Sequence, residues 1–453
     1  MSDLRAQGWT RRSAIATLLA SVVLVAAGCG STAPTATPSS PPSLAPATTS
    51  QPPATTSPSP ATTSPSPAAT SPSPAASVDV AAIYDAIERQ VVEIRGLKPS
   101  RPVARQSIDE TELRTMMTDA FDRESPPAYV AANERLYKAL GLIPADSSLR
   151  DLTLDMLSGG IVGFYRDDQG KLYVVSKTGL PGVSERITFA HEYDHALQDQ
   201  NYPVFRDQEG ILDQSDRILA RQAIYEGDAT LLMALWEAAH FSPQEMLELV
   251  ALSADPAAQA VLQRTPAFLR ELLLYPYTTG LFYVQAAQLR GGWDGVNDLL
   301  RRMPESTEQI LHPEQYAAKE APIQVTLPDD LAAQLGSGWS VPLEDTFGEL
   351  QLGLWLREAG VAPATATAAG AGWGGDRLAV VKGPSGAWGV VIDTTWDTAA
   401  DAVEFADAAS VAVNGLANPA RISSPAGRTV TILIASDQAA LLALDIIFGA
   451  TGV

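Results

Sequence analysis

His191 and His195, in the segment FAHEYDHALQDQ, stand four positions apart with Glu192 directly after the first. Residues at that spacing share one face of an α-helix, so both imidazoles can face a single ion while Glu192 points beside it toward a bound water. The flanking pattern agrees: Ile187, Phe189, Ala190, Ala196 and Leu197 recur at helical spacing, predicting a helix from Ser184 to about Pro203. The chain holds four histidines in 453 residues, and chance matches to His-Glu-x-x-His should number roughly 0.002 at such a composition. The competing reading is two histidines satisfied by ordinary hydrogen bonds.

Composition narrows what such a site can be. Cysteine occurs once, at Cys29, so neither an intrachain disulfide nor a thiolate metal cluster can form, and any metal must be held by His, Glu or Asp. With 31 basic against 52 acidic residues the net charge is −21, which repels nucleic acid and anionic membrane surfaces. No nucleic-acid partner is expected. At 46% hydrophobic residues the chain is long enough for two domains, or for one large domain with an appendage.

The appendage is N-terminal. Arg5, Arg11 and Arg12 precede the apolar run Ser13 to Gly28, which is too short for a comfortable membrane span and reads as a secretory signal. Its end, VAAGCG, resembles the lipobox of bacterial lipoproteins, which implies lipidation of Cys29 and a chain anchored to the cell membrane on the extracytoplasmic side; the alternative is a plain secretory signal. Residues 1–29 are therefore read as signal and lipobox. Residues 30–77 are almost wholly Ala, Thr, Ser and Pro, with ATTSPSP at 54 and 61 and AATSPSP at 68. Such a stretch has no apolar content to offset its ordering entropy and reads as a disordered tether, able to hold a folded body on the order of 100 Å from a surface.

Folding signals begin at residue 78. Helices are predicted in VAAIYDAIERQVVEIRGL, SIDETELRTMMTDAF and PPAYVAANERLYKALGL, and GGIVGFYRDDQGKLYVVS reads as two short strands around the turn DDQG, a hairpin just before the histidine helix. Further helices are expected from about Ser215 to Ala239, from about Pro256 to Leu274, and from near Thr278. Beyond a boundary placed near 326 the pattern is mixed: a helix in TFGELQLGLWLREAG, strands in RLAVVKG, WGVVIDTTW and TVTILIA, and helices in AADAVEFADAASVAV and DQAALLALDIIFG. The expected fold is α+β, with one domain over 78–325 and a C-terminal α+β region over 326–453.

Two histidines do not complete a catalytic zinc site, which has three protein ligands and a water. Glu226, in AIYEGDATLLMALW, shares a helical face with Leu219, Ala223, Ala229 and Met233, so it should point inward, where an unpaired carboxylate is costly. A metal would remove that cost; pairing with a residue such as Arg221 is the alternative.

A His-Glu-x-x-His helix followed by a second helix supplying a glutamate resembles the gluzincin metallopeptidases, and EGDAT is similar to the stretch around their third ligand in the aminopeptidase branch. Glu226 lies 31 positions after His195, a longer separation than is usual, and Asp228 stands where an apolar residue is usual. The resemblance implies a zincin-like domain, with a small sheet and the histidine helix followed by a mostly helical part, and one Zn2+ held by His191, His195 and Glu226. It also implies Glu192 as the base that takes a proton from water in hydrolysing a peptide bond; Asp228, which departs from that pattern, is a candidate to orient a ligand imidazole, with a local cap or salt bridge as the alternative. YPYTTG resembles the stretch placing a transition-state tyrosine, which points to Tyr277; His312, in STEQILHPEQY, is the alternative donor, as a downstream histidine is in the thermolysin branch. The resemblance implies that an extended peptide or protein substrate pairs with the strand before the histidine helix, here Lys171 to Ser176, and it favours an endopeptidase over an aminopeptidase. An inactive binding or scaffold lipoprotein, and a zinc hydrolase of a non-peptide substrate, stand as alternatives.

Overall fold

The structure is a computed structural model, and it describes residues 79–158, 162–176, 179–205 and 211–449. The signal segment, Cys29 and the 30–77 tether lie outside the described residues. Among the described residues no helix is long and apolar enough to cross a membrane.

The fold is α+β with two separate sheets. Helix α1 (Val80–Arg95) leads to strand β1 (Ala104–Ile108), helices α2 (Glu110–Glu124), α3 (Pro127–Ala139) and α4 (Leu149–Ser158), and the hairpin β2 (Gly163–Arg166) and β3 (Lys171–Val175). Two long helices follow, α5 (Val183–Asn201) and α6 (Ser215–His240), then α7 (Pro243–Ser253), α8 (Pro256–Arg264) and α9 (Ala267–Tyr275). A single π-helical turn, Pro276–Gly280, joins α9 to α10 (Leu281–Arg301). The helix expected over 256–274 is broken at Pro266, whose ring removes a backbone donor and fixes its own φ.

The first sheet has the order β1-β3-β2, with β1 parallel and β2 antiparallel to β3. β3 is therefore the central strand, paired on both sides, and it cannot offer an edge to a substrate as the resemblance implied. The strand that takes its other side, β1, has the sequence ARQSI with a largely exposed burial pattern, so it lacked the apolar alternation by which strands are recognised. β2 is the edge.

Short helices α11 (Glu308–Leu311), α12 (Pro313–Ala318) and α13 (Leu331–Leu335) lead to the second sheet. It comprises β4 (Ser340–Asp345), β5 (Trp373–Lys382), β6 (Trp388–Trp396), β7 (Ala420–Ile422) and β8 (Thr429–Ala435), in the order β4-β5-β6-β8-β7 and antiparallel throughout. Helices α14 (Gly348–Glu358) and α15 (Pro363–Gly370) precede β5, α16 (Ala399–Asn414) precedes β7, and α17 (Gln438–Phe448) closes the described chain. Successive strand residues point to opposite faces, and both faces are covered. Val390, Ile392, Val430 and Ile432 join a core with Phe405 and Ala409 of α16, while Val381, Val391 and Leu433 join another with Ala440 and Leu444 of α17.

Position 326 does not separate two cores. One hydrophobic cluster includes Leu136, Leu157 and Phe268 together with Trp355, Leu378 and Ile392, and Val80 onward forms one compact unit. Polar contacts tie the same junction. Asp345, at the end of β4, accepts the Ser215 N–H at 2.7 Å and the Ser215 hydroxyl, which seats a carboxylate at the N-terminus of α6. Asp216 accepts from the Thr307 N–H and hydroxyl, and Asp376 of β5 accepts the Phe347 and Gly348 N–H groups at 2.9 and 2.8 Å. Gly348 has φ +72° and lies so close to the Asp216 carboxylate that a Cβ has no space there. The C-terminal sheet thus anchors the first turn of α6, three turns before Glu226.

Candidate metal centre

Helices α5 and α6 are buried on nearly all sides, α5 over Ile187 to Asp199 and α6 over most of Ala220 to Met233. Each ionisable side chain on them must therefore find a partner inside the protein.

His191, His195 and Glu226 find one another. Nε2 of His195 lies 3.1 Å from Nε2 of His191, and Oε2 of Glu226 lies 3.2 Å from His191 Nε2 and 3.4 Å from His195 Nε2. Among the described residues this is the one group of three such side chains close enough to share an ion. Four-coordinate Zn2+, with ligands at about 2.0 to 2.1 Å, sets neighbouring donors about 3.3 to 3.4 Å apart on a tetrahedron. The three atoms are arranged as one face of such a tetrahedron, and two imidazoles with one carboxylate are a suitable donor set. Without a cation the convergence is unfavourable, since two ring nitrogens and a carboxylate oxygen aim lone pairs at one point.

The titration behaviour follows from that crowding. Burial pushes His191 below its ordinary value. Burial also disfavours the His195 cation, but the Glu226 and Glu192 carboxylates outweigh it and push His195 up to about 10. Burial raises Glu226, and the two histidines more than reverse this and hold it below the usual carboxylate range.

Glu192 is fully buried next to the ligands. Its Oε2 accepts the Tyr165 N–H from β2 at 2.8 Å, while Oε1 has no hydrogen-bond partner. Burial, helped by Glu226, pushes its carboxyl up to about 8. The Tyr165 donor fits the strand geometry. Val175 donates to the carbonyl of Val162 directly opposite, so in this antiparallel pair Phe164 and Arg166 bond to β3, whereas Gly163 and Tyr165 turn their N–H and C=O groups away from it. The open edge of β2 thus faces the Glu192 carboxylate. Tyr165 is fixed from its other end, where its hydroxyl donates to Asp199 at 2.8 Å, and Asp199 also accepts from Arg101.

Tyr277 reaches the centre because of two glycines. A Cβ on Gly227 would lie 2.5 Å from the Gly280 carbonyl oxygen, and one on Gly280 would meet the Ala223 backbone, so α6 and the π-helical turn cross in backbone contact. The Tyr277 ring comes within 6.3 Å of the His191 ring, and its hydroxyl is turned to the Glu226 carboxylate. Burial, with Glu226 and Glu192 adding to it, holds that hydroxyl well above its ordinary value, so it stays an O–H donor.

His312 is elsewhere. Its Nε2 is 2.9 Å from Glu349 Oε1 and its Nδ1 3.8 Å from Glu314, and none of its contacts among the described residues joins it to His191, Glu192 or Glu226. It ends α11, and a carboxylate on α14 captures it.

Asp228 is buried but does not touch an imidazole directly. It accepts a bidentate pair from Arg95 at 2.9 and 3.0 Å, and the Gln198 amide nitrogen at 3.0 Å. Gln198 is the residue against the ring: its Oε1 lies 3.0 Å from Nδ1 of His195. Residue spacing carries a signal for it, since Gln198 is three positions after His195 on one helix face. Nδ1 of His191 has the Ala229 carbonyl beside it but no well-formed hydrogen bond.

Residues 339–445, which hold the C-terminal sheet and none of the metal-centre side chains, match a family described as a Domain of unknown function (DUF8575). No curated protein matches the chain. A hydrolase candidate described as having a novel fold, from Chloroflexus aurantiacus, is similar at 17% identity over 53% of this chain and 88% of that chain, with a TM-score of 0.36. A likeness of that degree carries no argument about activity.

Proposed function

We propose that the chain is a zincin-like, zinc-dependent peptidase of the gluzincin type, an endopeptidase carried outside the cytoplasm on a lipid anchor at Cys29. The observation that carries the catalytic part is the triangle of His191, His195 and Glu226 with the free oxygen of Glu192 beside it. The anchor rests on the VAAGCG sequence alone.

Zn2+ held by the three side chains supplies Lewis-acid polarisation and brings a water's pKa toward neutrality. The chain's own residues do the rest. Glu192 accepts a proton at Oε1 while the Tyr165 N–H keeps Oε2 in place, so the base has one working oxygen and one fixed oxygen. The Tyr277 O–H, kept protonated, is a donor for charge developing on the substrate carbonyl oxygen. An extended peptide laid along β2 meets the outward groups of Gly163 and the Tyr165 carbonyl, a main-chain recognition with little demand on sequence.

A second reading, a metal that only braces two helices, is favoured by the burial of the site: His191, Glu192 and Glu226 are 0% exposed. Against it stands Glu192 Oε1, a buried carboxylate oxygen with no partner, which a bracing site has no use for. Metal analysis with an unbiased peptide-library digest decides between the two. Glu192→Gln is expected to keep one zinc per chain and lose about 10²-fold or more in turnover, whereas His191→Ala is expected to lose both metal and turnover. Release of amino-terminal residues alone would replace the endopeptidase with an aminopeptidase, and wild-type protein with zinc but no hydrolysis would leave the bracing role.

A further inference from the structure

The interior between α1, α5 and α6 holds a chain of polar side chains that no step of the proposed reaction uses. Arg95 is completely buried. It places two guanidinium nitrogens on Asp228 and a third on Asn297 Oδ1 at 2.9 Å, and its guanidinium lies 4.6 Å from the centre of the Trp293 ring. The next link is the Gln198 amide. Its nitrogen is surrounded by three acceptors, Asp228 Oδ2 at 3.0 Å, the Tyr225 carbonyl at 3.0 Å and Asp194 Oδ2 at 3.2 Å. Its oxygen faces Nδ1 of His195.

That arrangement permits one orientation of the amide. Rotated by half a turn, the amide oxygen would face the Tyr225 carbonyl and the Asp228 carboxylate, neither of which has a proton to give, so it would itself lack a donor and stand against two acceptor oxygens in a buried site. With the oxygen fixed toward His195, only a protonated Nδ1 can pair with it. Nε2 is then the nitrogen that presents a lone pair toward His191 and Glu226.

We propose that Gln198 is a positioning residue that keeps the proton of His195 on Nδ1 and so commits Nε2 to the metal, and that Arg95 and Asp228 act through it by fixing its amide. Imidazole ligands are commonly oriented by a carboxylate or a backbone carbonyl. Here Asp194, Asp228, Glu192 and Glu226 already crowd the interior, and a neutral amide orients the ring without adding another buried charge. The metal-affinity part of the proposal rests on the zinc reading above; the proton-placement part does not.

The test uses the full chain, labelled with 15N-histidine, and two substitutions. Gln198→Met keeps the length of the side chain and removes the acceptor; Gln198→Glu keeps the acceptor. In wild-type protein, with zinc or without it, the Nδ1–H of His195 is expected as a slowly exchanging signal, and Gln198→Glu is expected to retain it. Gln198→Met is expected to lose the signal and to bind zinc 10- to 100-fold more weakly, the usual loss when a partner behind a metal ligand is removed. Should Gln198→Met not fold, Asp228→Asn tests the outer link, because its new donor lets the Gln198 amide rotate and is expected to weaken the same Nδ1–H signal. If wild-type protein binds no zinc but Gln198→Met or Asp228→Asn still loses the signal, the zinc reading fails and the positioning role stands. Retention of the protected Nδ1–H in Gln198→Met, or in Asp228→Asn where the first variant does not fold, overturns the proposal.

Discussion

Gly227→Ala tests why Tyr277 and Glu226 stand together. Gly227 is inside α6, where alanine is favoured over glycine by about 1 kcal/mol, so helix propensity alone predicts a more stable protein. The tertiary contact predicts the opposite. The added methyl would sit 2.5 Å from the Gly280 oxygen, 2.6 Å from its carbonyl carbon and 2.9 Å from a methyl of Val284. A carbon and a carbonyl oxygen rest no closer than about 3.3 Å, so the crossing must open by roughly 0.8 Å. The obstacle is backbone on both sides, and no rotamer change relieves it. Overpacking of this kind costs about 1–3 kcal/mol, and more where main chain has to move, so a net loss of about 1–3 kcal/mol and a fall in Tm of roughly 2–12 °C are expected, since large domains shift by about 2–4 °C per kcal/mol. Gly291→Ala is the control: it lies in α10 with nothing within 4 Å of the added carbon, and its Tm should be unchanged or slightly raised. Thermal unfolding of both variants, followed by circular dichroism with a chelator present, separates the contact from any effect on metal. A Gly227→Ala Tm at or above that of Gly291→Ala refutes the argument that this crossing is set by backbone contact.

Tyr277→Phe should lower the hydrolysis rate by about 10²-fold with zinc content unchanged, whereas His312→Ala, which breaks the pairs with Glu349 and Glu314, should leave the rate alone; the reverse pattern in a peptide assay would move the donor to His312. Adding zinc to metal-free protein should raise Tm, and His195→Ala should abolish the rise, because a ligand bound only by the folded state stabilises it. Burial pushes the carboxyls of Asp345 and Asp376 up to about 6 from 3.8. The folded chain therefore binds these protons more tightly than the unfolded chain, and their contribution is greatest below the unfolded value and is lost as pH rises through about 6. Metal-free protein should accordingly melt higher at pH 5 than at pH 7, and Asp376→Asn should flatten that slope; a Tm that rises from pH 5 to pH 7 would contradict it.

The histidine helix, the hairpin before it and Glu226 on the next helix were legible in the sequence because each rests on local rules: four-residue spacing, alternation around a turn, and an acidic residue on an apolar helix face. Three strands and two helices after residue 370 were readable for the same reason, as apolar runs of the right length and period, whereas the three-residue strand β7 was not. What packs on those elements was not legible. β1 is a polar strand whose place in the sheet comes from a parallel partner 67 positions later, Lys171 opposite Ala104, and that pairing makes β2 rather than β3 the edge beside Glu192. Tyr277 and His312 looked equivalent as candidate donors, and two glycines and one glutamate separate them: Gly227 and Gly280 let Tyr277 close on Glu226, while Glu349 holds His312 away. Asp228 and Arg95 lie 133 positions apart and meet in the interior, with Gln198 between Asp228 and His195. Spacing along a helix fixes which side chains can face one ion, because that depends only on the 3.6-residue turn. Which oxygen orients a ring, which strand is left open and which donor reaches the centre depend on the partners of buried polar groups, and those are chosen when distant segments pack.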